Sequence, residues 1–438
     1  MANPNPSGAV KEAAFTISVS ERVKRLPPYL FGQLNATKYR LRTEGHDVID
    51  LGMGNPTDPA PEDVVKKLCE AVKDPRNSRY SVSSGVFNLR RELARKYQRL
   101  YNVDVDPESE VVATIGSKEG FSHMCLALLG PGDTAIVPDP AFPIHVYAVA
   151  LAEANVISVT LGNDDAFLSR IQYVAEHLYP RPKVLILNYP HNPTAMVAPD
   201  VRFYEEVVRM AKRFNFLVLH DFAYGETCFG NYRAPSFLQA KGAKDVAVEF
   251  TTMSKAYNMA GWRVGFCAGN SQMCRALMKV KGYYDYGIFQ AIQVAAIIAM
   301  REGDEFSRRQ AAIYEKRRDT MMRGLMRLGW TGTETPQASM FIWAKIPEAL
   351  LAKMGSIDLS LFLMEKGHVA VAPGRAFGPA GEGYLRLAVV ENEKRINQAI
   401  RQRNKPGLYQ QVLQEAARID WCLVDANWNE KPARLEQP

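Results

Sequence analysis

Residues 251–266 read TTMSKAYNMAGWRVGF, a stretch poor in charge that carries Lys255 and, eight positions on, Arg263. A lysine with apolar flanks suits a dry pocket, where lost hydration favours the neutral amine and makes it a nucleophile. Other stretches offer groups that could work with it. VVATIG (111–116) runs into Gly116, Ser117 and Lys118, which open the apolar helical pattern SKEGFSHMCLALLG; exposed amides at such a helix start form a phosphate site. KVLILNYPHNPT delivers Asn192, FLVLHDFAY delivers Asp221 and Tyr224, and the lysine's own stretch adds Thr252 and Ser254. Taken singly, each has an ordinary reading: Asp221 as a turn former or helix cap, Ser254 as a cap, Lys255 as a surface charge.

What joins them is the set of elements that must position them. Short β-branched runs recur at 111–116, 134–139, 155–161, 183–190, 216–221, 246–253 and 264–269, alternating with helical patterns. This predicts an α/β fold, a mostly parallel seven-stranded sheet between helices. The last two runs are joined too briefly for a parallel crossover, so 264–269 is expected to run antiparallel. Ligands of open α/β sheets sit beyond the carboxyl ends of the strands, and the groups named above follow four such runs. From about 291 the pattern turns helical, then strand-like at SMFIWAKI (339–346) and GYLRLAVV (383–390), as in a smaller α+β domain. The expected division is an N-terminal segment 1–50 packing with the small domain, a large cofactor-binding domain 51–305, a small domain 306–403 and an extension 404–438 of unknown role.

Composition narrows the function classes. The 438 residues are 47% apolar and 23% charged, enough for two domains with a large core. The net charge of +7 lies in runs such as RRELARKYQR (90–99), which read as solvated helix faces without interleaved aromatics, so no nucleic acid is expected as a partner. AIQVAAIIAM (291–300) is half a membrane span and reads as a buried helix, so no membrane partner is expected. The six cysteines form no CxxC pair and MANPNPSGAVKEAAF lacks the apolar run of a secretion signal, which points to the cytoplasm. The seven histidines show no HxxxH or HExxH, and no metal is expected.

Among cofactors, dinucleotides fit poorly: GMGNPT (52–57) lacks the third glycine of the fingerprint, and GSKEG lacks the Walker spacing. A phosphate cradle, a carboxylate and a nucleophilic lysine suit pyridoxal 5'-phosphate, whose aldehyde takes an amine, whose ring nitrogen takes an acid and whose phosphate takes a helix start. On Ser254, Lys255, Gly261 and Arg263 the chain resembles the class I and II aminotransferases of fold type I. The resemblance continues in order through GNP (54–56), YSVSSGVFNLRREL (80–93), IGSKEG, PDPAFP (138–143), HNPT (191–194), HDFAY (220–224) and LRLA (385–388), over about residues 25–403. TIGSKEG, SKAYNMAGWRVGF, YYDYG and ASMFIWAKIPE are most similar to the bacterial alanine-synthesising (glutamate–pyruvate) members.

The resemblance implies roles. Lys255 would bind the cofactor's aldehyde and later move the substrate's Cα proton; Asp221 would pair with the ring nitrogen, and Asn192 and Tyr224 with the phenolate oxygen. Phe142 would stack on the ring. Ser117, Lys118, Thr252, Ser254 and Arg263 would hold the phosphate, and Arg386, with the Gly54 backbone nearby, the substrate's α-carboxylate. Tyr80 would reach the phosphate of a neighbouring subunit, which implies a homodimer with shared active sites acting on amino acids and 2-oxo acids. The implied activity is amino transfer between glutamate or alanine and pyruvate or 2-oxoglutarate. The alternatives are transamination of aspartate, methionine or LL-diaminopimelate, a lyase, or a non-catalytic cofactor-binding regulator; the last would be expected to have lost the lysine or gained a DNA-binding extension. Relatives that handle aspartate take a second arginine from the partner, and YYDYGIF (283–289) supplies none, which favours a small or apolar side chain. Glutamate would then need another cation, such as Lys38 or Arg40.

Overall fold

The computed structural model describes residues 17–28 and 30–403, so the 404–438 extension lies outside the described residues. Its strands, in chain order, are β1 (Ile49–Asp50), β2 (Val111–Thr114), β3 (Thr134–Asp139), β4 (Asn155–Thr160), β5 (Val184–Asn188), β6 (Leu217–Asp221), β7 (Ala247–Thr252), β8 (Gly265–Gly269), β9 (Phe341–Lys345), β10 (Val369–Ala370), β11 (Ala372–Pro373) and β12 (Tyr384–Ala388).

Seven of them form one sheet in the order β2-β8-β7-β6-β5-β3-β4. Only β8 opposes its neighbours, pairing antiparallel with β2 and β7, while the other pairs are parallel. Helices cover both faces, so β3, β5 and β8 are buried throughout and the sheet's strands read as mainly apolar runs. Alternate residues still part company: Leu185 and Leu187 pack toward Leu93, Tyr97 and Phe203, whereas Val184 and Ile186 pack toward Phe121, Met124 and Leu277. The edge strand β4 instead exposes Asn155, Ser158 and Thr160.

A second core forms on the three-stranded antiparallel sheet β11-β12-β9, where Ile342, Leu385 and Leu387 meet Leu325, Leu359 and Leu363 from the helices Asp304–Arg327 and Ser356–Gly367. Helix Leu30–Thr43 lays Phe31, Leu34 and Leu41 on Met364, Ala372 and Phe377, and β1 pairs in parallel with β10.

The sheet order explains how distant residues meet. β5, β6 and β7 end in register at one edge, with Asn188 beside Asp221 and Asp221 beside Phe250. Because β8 runs backwards, its first residue, Gly265, lies between Thr114 at the end of β2 and Thr252 at the end of β7. The reversed strand therefore carries Arg263 to the edge where the parallel strands deliver Ser117 and Lys255.

Candidate active site

A cavity of about 810 Å³ opens at this edge, walled on the other side by Phe341 of β9 and Arg386 of β12. It gathers residues from across the chain: Gly54, Ser117, Lys118 and Phe142; Asn192, Asp221 and Tyr224; and Thr252, Ser254, Lys255, Arg263 and Arg386. Tyr80 is not among them. It is 84% exposed and packs at a tilt against the exposed Tyr286, with ring centroids 4.6 Å apart.

Lys255 follows β7 on the short helix Met253–Ala256, and its Nζ donates to the Gly54 carbonyl at 2.6 Å. Burial pushes its pKa down to about 8, with the charges of Arg386 and Arg263 adding to the shift and Asp221 opposing it. Near neutral pH a usable fraction of such an amine is unprotonated.

Asp221 closes β6 and is 8% exposed. Its Oδ2 meets Nε2 of the fully buried His145 at 3.0 Å, while Oδ1 is buried with no hydrogen-bond partner. An unpaired buried carboxylate oxygen is costly unless a donor arrives from outside the protein. A protonated ring nitrogen is such a donor. Phe142, which caps helix Pro143–Leu151, sets its ring edge-on to His145 at 5.9 Å.

At the other end of the cavity, helix Ser117–Leu128 begins after Gly116 (φ 76) with no side-chain cap, leaving its first amides to an outside acceptor. A Cβ at Gly116 would strike the Arg263 guanidinium, and one at Gly265 would strike the Ser117 amide, so both glycines permit an approach no other residue could. Thr252 Oγ1 accepts from the Ser254 amide at 3.2 Å and donates to the Val264 carbonyl at 3.1 Å, shaping the turn that presents Ser254 and Lys255. Helix start, arginine, lysine and serine converge as a dianion requires.

Arg386 donates Nη1 to Asn192 Oδ1 at 2.7 Å and Nη2 to the Gly52 carbonyl at 2.8 Å, and its guanidinium lies 4.1 Å from the Phe341 ring centroid. Tyr224 packs edge-on to Phe341, and burial holds its hydroxyl well above the ordinary range, so it stays a donor.

Two wall residues, Asp50 and Phe341, and the buried His145 behind Asp221 escaped the sequence reading. His145 sits in an apolar stretch, PIHVYAVAL, and a lone histidine there is the signal that could have marked it. Asp50 accepts from the Gly52 and Met53 amides and pairs with Lys38 at 2.5 Å. Phe341 is an apolar strand residue with no local mark. Of the two basic residues proposed to assist glutamate, Lys38 lines the cavity but Arg40 does not; Arg40 is exposed and pairs with Glu44 and Glu365, and Arg42, one helical turn beyond Lys38, lines the cavity in its place.

Behind the helix start lies a second polar cluster. The fully buried Lys281 ammonium contacts Glu119 Oε1 at 2.9 Å and Asp285 Oδ2 at 3.0 Å, and Glu119 Oε2 accepts from the Ile115 amide at 2.8 Å. Glu119, His123 and Asp285 are close enough to ligate a metal, but Lys281 already supplies the positive charge.

Fold and site together define a pyridoxal-phosphate enzyme of fold type I. The chain belongs to the aminotransferases of class I and II, whose family model it matches over residues 46–402, and pyridoxal 5'-phosphate is accordingly its cofactor. It is 46% identical over 380 residues to the glutamate-pyruvate aminotransferase AlaC of Escherichia coli (strain K12), covering 87% of this chain and 92% of that protein. Over 383 residues it is 39% identical to an LL-diaminopimelate aminotransferase of Halothermothrix orenii, covering 87% and 96%. The substrate-bound BacF structure from Bacillus subtilis superposes with a TM-score of 0.82 at 32% identity, covering 88% of this chain and 97% of that one.

Proposed function

We propose that the chain is a glutamate–pyruvate aminotransferase, moving an amino group between L-glutamate or L-alanine and the corresponding 2-oxo acids. The observation that carries the chemistry is the meeting, in one cavity, of an amine pushed down to about 8 with an unpartnered oxygen of Asp221. The choice of substrates is supported by the likeness to AlaC.

In this reading Ser117, Lys118, Ser254 and Arg263 hold the cofactor's phosphate, and Thr252 shapes the turn that presents two of the site's groups. When bound, the cofactor supplies a sink for the electrons of the substrate's Cα–H bond. Asp221 Oδ1 keeps the ring nitrogen protonated, and His145 fixes the carboxylate by holding Oδ2. Asn192, whose oxygen is taken by Arg386 and whose side chain also hydrogen-bonds Tyr224, would donate to the phenolate oxygen together with the Tyr224 hydroxyl. Arg386 receives the α-carboxylate in bidentate fashion, which aims the substrate's Cα–H bond at Lys255. Once its Nζ is freed, Lys255 takes the Cα proton as general base, a role helped by its lowered pKa.

A second copy of the chain is part of this reading: the aromatic patch around Tyr80 and Tyr286 is its docking face, and Tyr80 acts in the neighbouring site. The cores on the two sheets support a large unit 51–305 and a small unit 306–403, with the N-terminal segment packing on the latter. The free thiols Cys125, Cys267 and Cys274 suit a reducing cytoplasm, and no helix among the described residues is long and apolar enough to cross a membrane.

The test is a set of half-reactions followed by the absorbance of the bound cofactor. Alanine and glutamate should convert it, with aspartate at least about 10-fold poorer in kcat/KM, because YYDYGIF (283–289) supplies no arginine to pair with a short β-carboxylate that loses its water on entering. Aspartate or LL-diaminopimelate equal to or better than alanine would overturn the assignment.

A further inference from the structure

A pocket that alternates glutamate with alanine must accept a charged side chain and a methyl group in the same space. A fixed unpaired cation would serve the first and burden the second, and an apolar wall would do the reverse. Six cations line the cavity: Lys38, Arg42, Lys118, Lys255, Arg263 and Arg386. The reading above employs four of them. The remaining two, Lys38 and Arg42, lie four positions apart on one face of helix Leu30–Thr43.

These two differ in what holds them. Arg42 is exposed and donates Nη2 to the Val48 carbonyl at 3.1 Å. Lys38 is mostly enclosed, its side chain 15% exposed, and its ammonium rests on Asp50 Oδ2. Asp50 does not depend on that contact alone, since Oδ1 keeps the Gly52 and Met53 amides at 3.0 and 3.2 Å. If the ammonium leaves, the carboxylate keeps two donors and is not stranded. The same turn presents the Gly52 carbonyl to Arg386 and the Gly54 carbonyl to Lys255, so the pair stands beside the groups that take a substrate's α end.

Resting on the proposed amino transfer, we propose that Lys38 is the specificity-determining cation for the distal carboxylate of a five-carbon dicarboxylic substrate, and that it exchanges between this carboxylate and Asp50. With alanine or pyruvate bound, Asp50 neutralises the Lys38 ammonium. With glutamate or 2-oxoglutarate bound, the ammonium turns to the substrate. A lysine on a flexible four-carbon stem suits such a change of partner better than a planar guanidinium would.

Kinetic and binding measurements on the holoenzyme test this. Lys38→Met should lower kcat/KM for glutamate and 2-oxoglutarate by about 30- to 100-fold, the worth of one charge-assisted contact, and change alanine and pyruvate by less than about 3-fold. Binding of glutarate, an unreactive dicarboxylate, should weaken by a similar factor in calorimetric titration. Lys38→Arg should keep most of the glutamate activity. Asp50→Asn, which retains an acceptor for the two amides, should shift preference toward glutamate by several-fold. If Lys38→Met does not fold, Lys38→Gln removes the charge while keeping a hydrogen bond to Asp50 and gives the same contrast. Equal losses for alanine and glutamate would reduce Lys38 to a brace for the 50–54 turn and overturn the exchange, as would unchanged glutamate activity. A wild-type enzyme that converts alanine but not glutamate overturns the exchange too; one that converts neither sinks the proposed function itself.

Discussion

Lys255 and Lys281 are both enclosed, yet the regions around them treat an ammonium in opposite ways. Lys281 has two carboxylates within 3.0 Å, and one of them, Glu119, also holds the Ile115 amide just ahead of helix Ser117–Leu128. Its charge is answered, and the group works as a tether joining helix Ser117–Leu128 to the end of helix Ser271–Tyr284. Lys255 is given a neutral carbonyl as its hydrogen-bond partner, two guanidinium groups among its charged surroundings, and Asp221 as the one opposing influence. Burial alone does not make a lysine reactive. What does so is burial from which the counter-charge has been withheld.

Lys255→Ala should break the reactive side of this contrast most completely. Transamination should fall by at least about 10⁴-fold, since both the covalent attachment and the base are lost, while circular dichroism shows a folded protein. Half-reactions at near wild-type rate would assign the chemistry to another group.

Lys281→Met should break the other side. It leaves Glu119 and Asp285 enclosed without their cation, and unfolding in urea should report a loss of about 3–5 kcal/mol. Activity per folded site should stay within about 10-fold of wild type, because Lys281 touches neither substrate nor cofactor. Full stability with lost activity would mean that the cluster takes part in catalysis.

The smallest effect is the sharpest discriminator. In the cofactor-free enzyme the Lys255 amine titrates at about 8, against 10.5 for an ordinary lysine. Below about pH 8 both folded and unfolded forms are protonated, and the folded form bears the cost of enclosing a charge. Between 8 and 10.5 the folded form sheds the proton while the unfolded form keeps it, so this group's contribution to stability rises with pH. Lys255→Met should therefore stabilise the cofactor-free enzyme at pH 7 by roughly 2–3 kcal/mol, a gain that fades toward pH 10.5. Urea unfolding of both forms at pH 7 and pH 10 reads the difference, and a gain independent of pH would mean that the amine is not depressed.

The main sheet was legible because burial on both faces forces its strands to be short apolar runs, and because ligand groups follow their ends. The reversal of β8 followed from the brevity of its connection. The two-residue pair β1 and β10 was not legible, since no periodicity exists over two residues and its members stand 320 positions apart in Ile49 and Val369. Ser117, Lys118, Asn192, Asp221, Tyr224, Lys255, Arg263 and Arg386 could be named from ordered motifs, and they gather in one cavity. The side-chain wall could not: Lys38 lies on a helix with a weak apolar stripe and acquires meaning only beside Asp50, while Arg40, equally basic, turns outward. His145 was hidden because its partner is 76 positions away.

Gly54 sits so close to Phe341 that a Cβ there would come within 2.5 Å of the ring's Cζ, and the same ring carries the Arg386 guanidinium on one side and the edge of Tyr224 nearby. One aromatic disc thus sets the spacing of three groups that line the cavity. Even a methyl group added at position 54 would disturb all of them at once, so that wall is closed to gradual change. Positions 38 and 42 of helix Leu30–Thr43 contribute to the cavity without being among the groups on that disc. On the proposed role of Lys38, divergence toward new substrates would fall to that helix, where a single mutation could alter what the enzyme accepts without first disabling what it does.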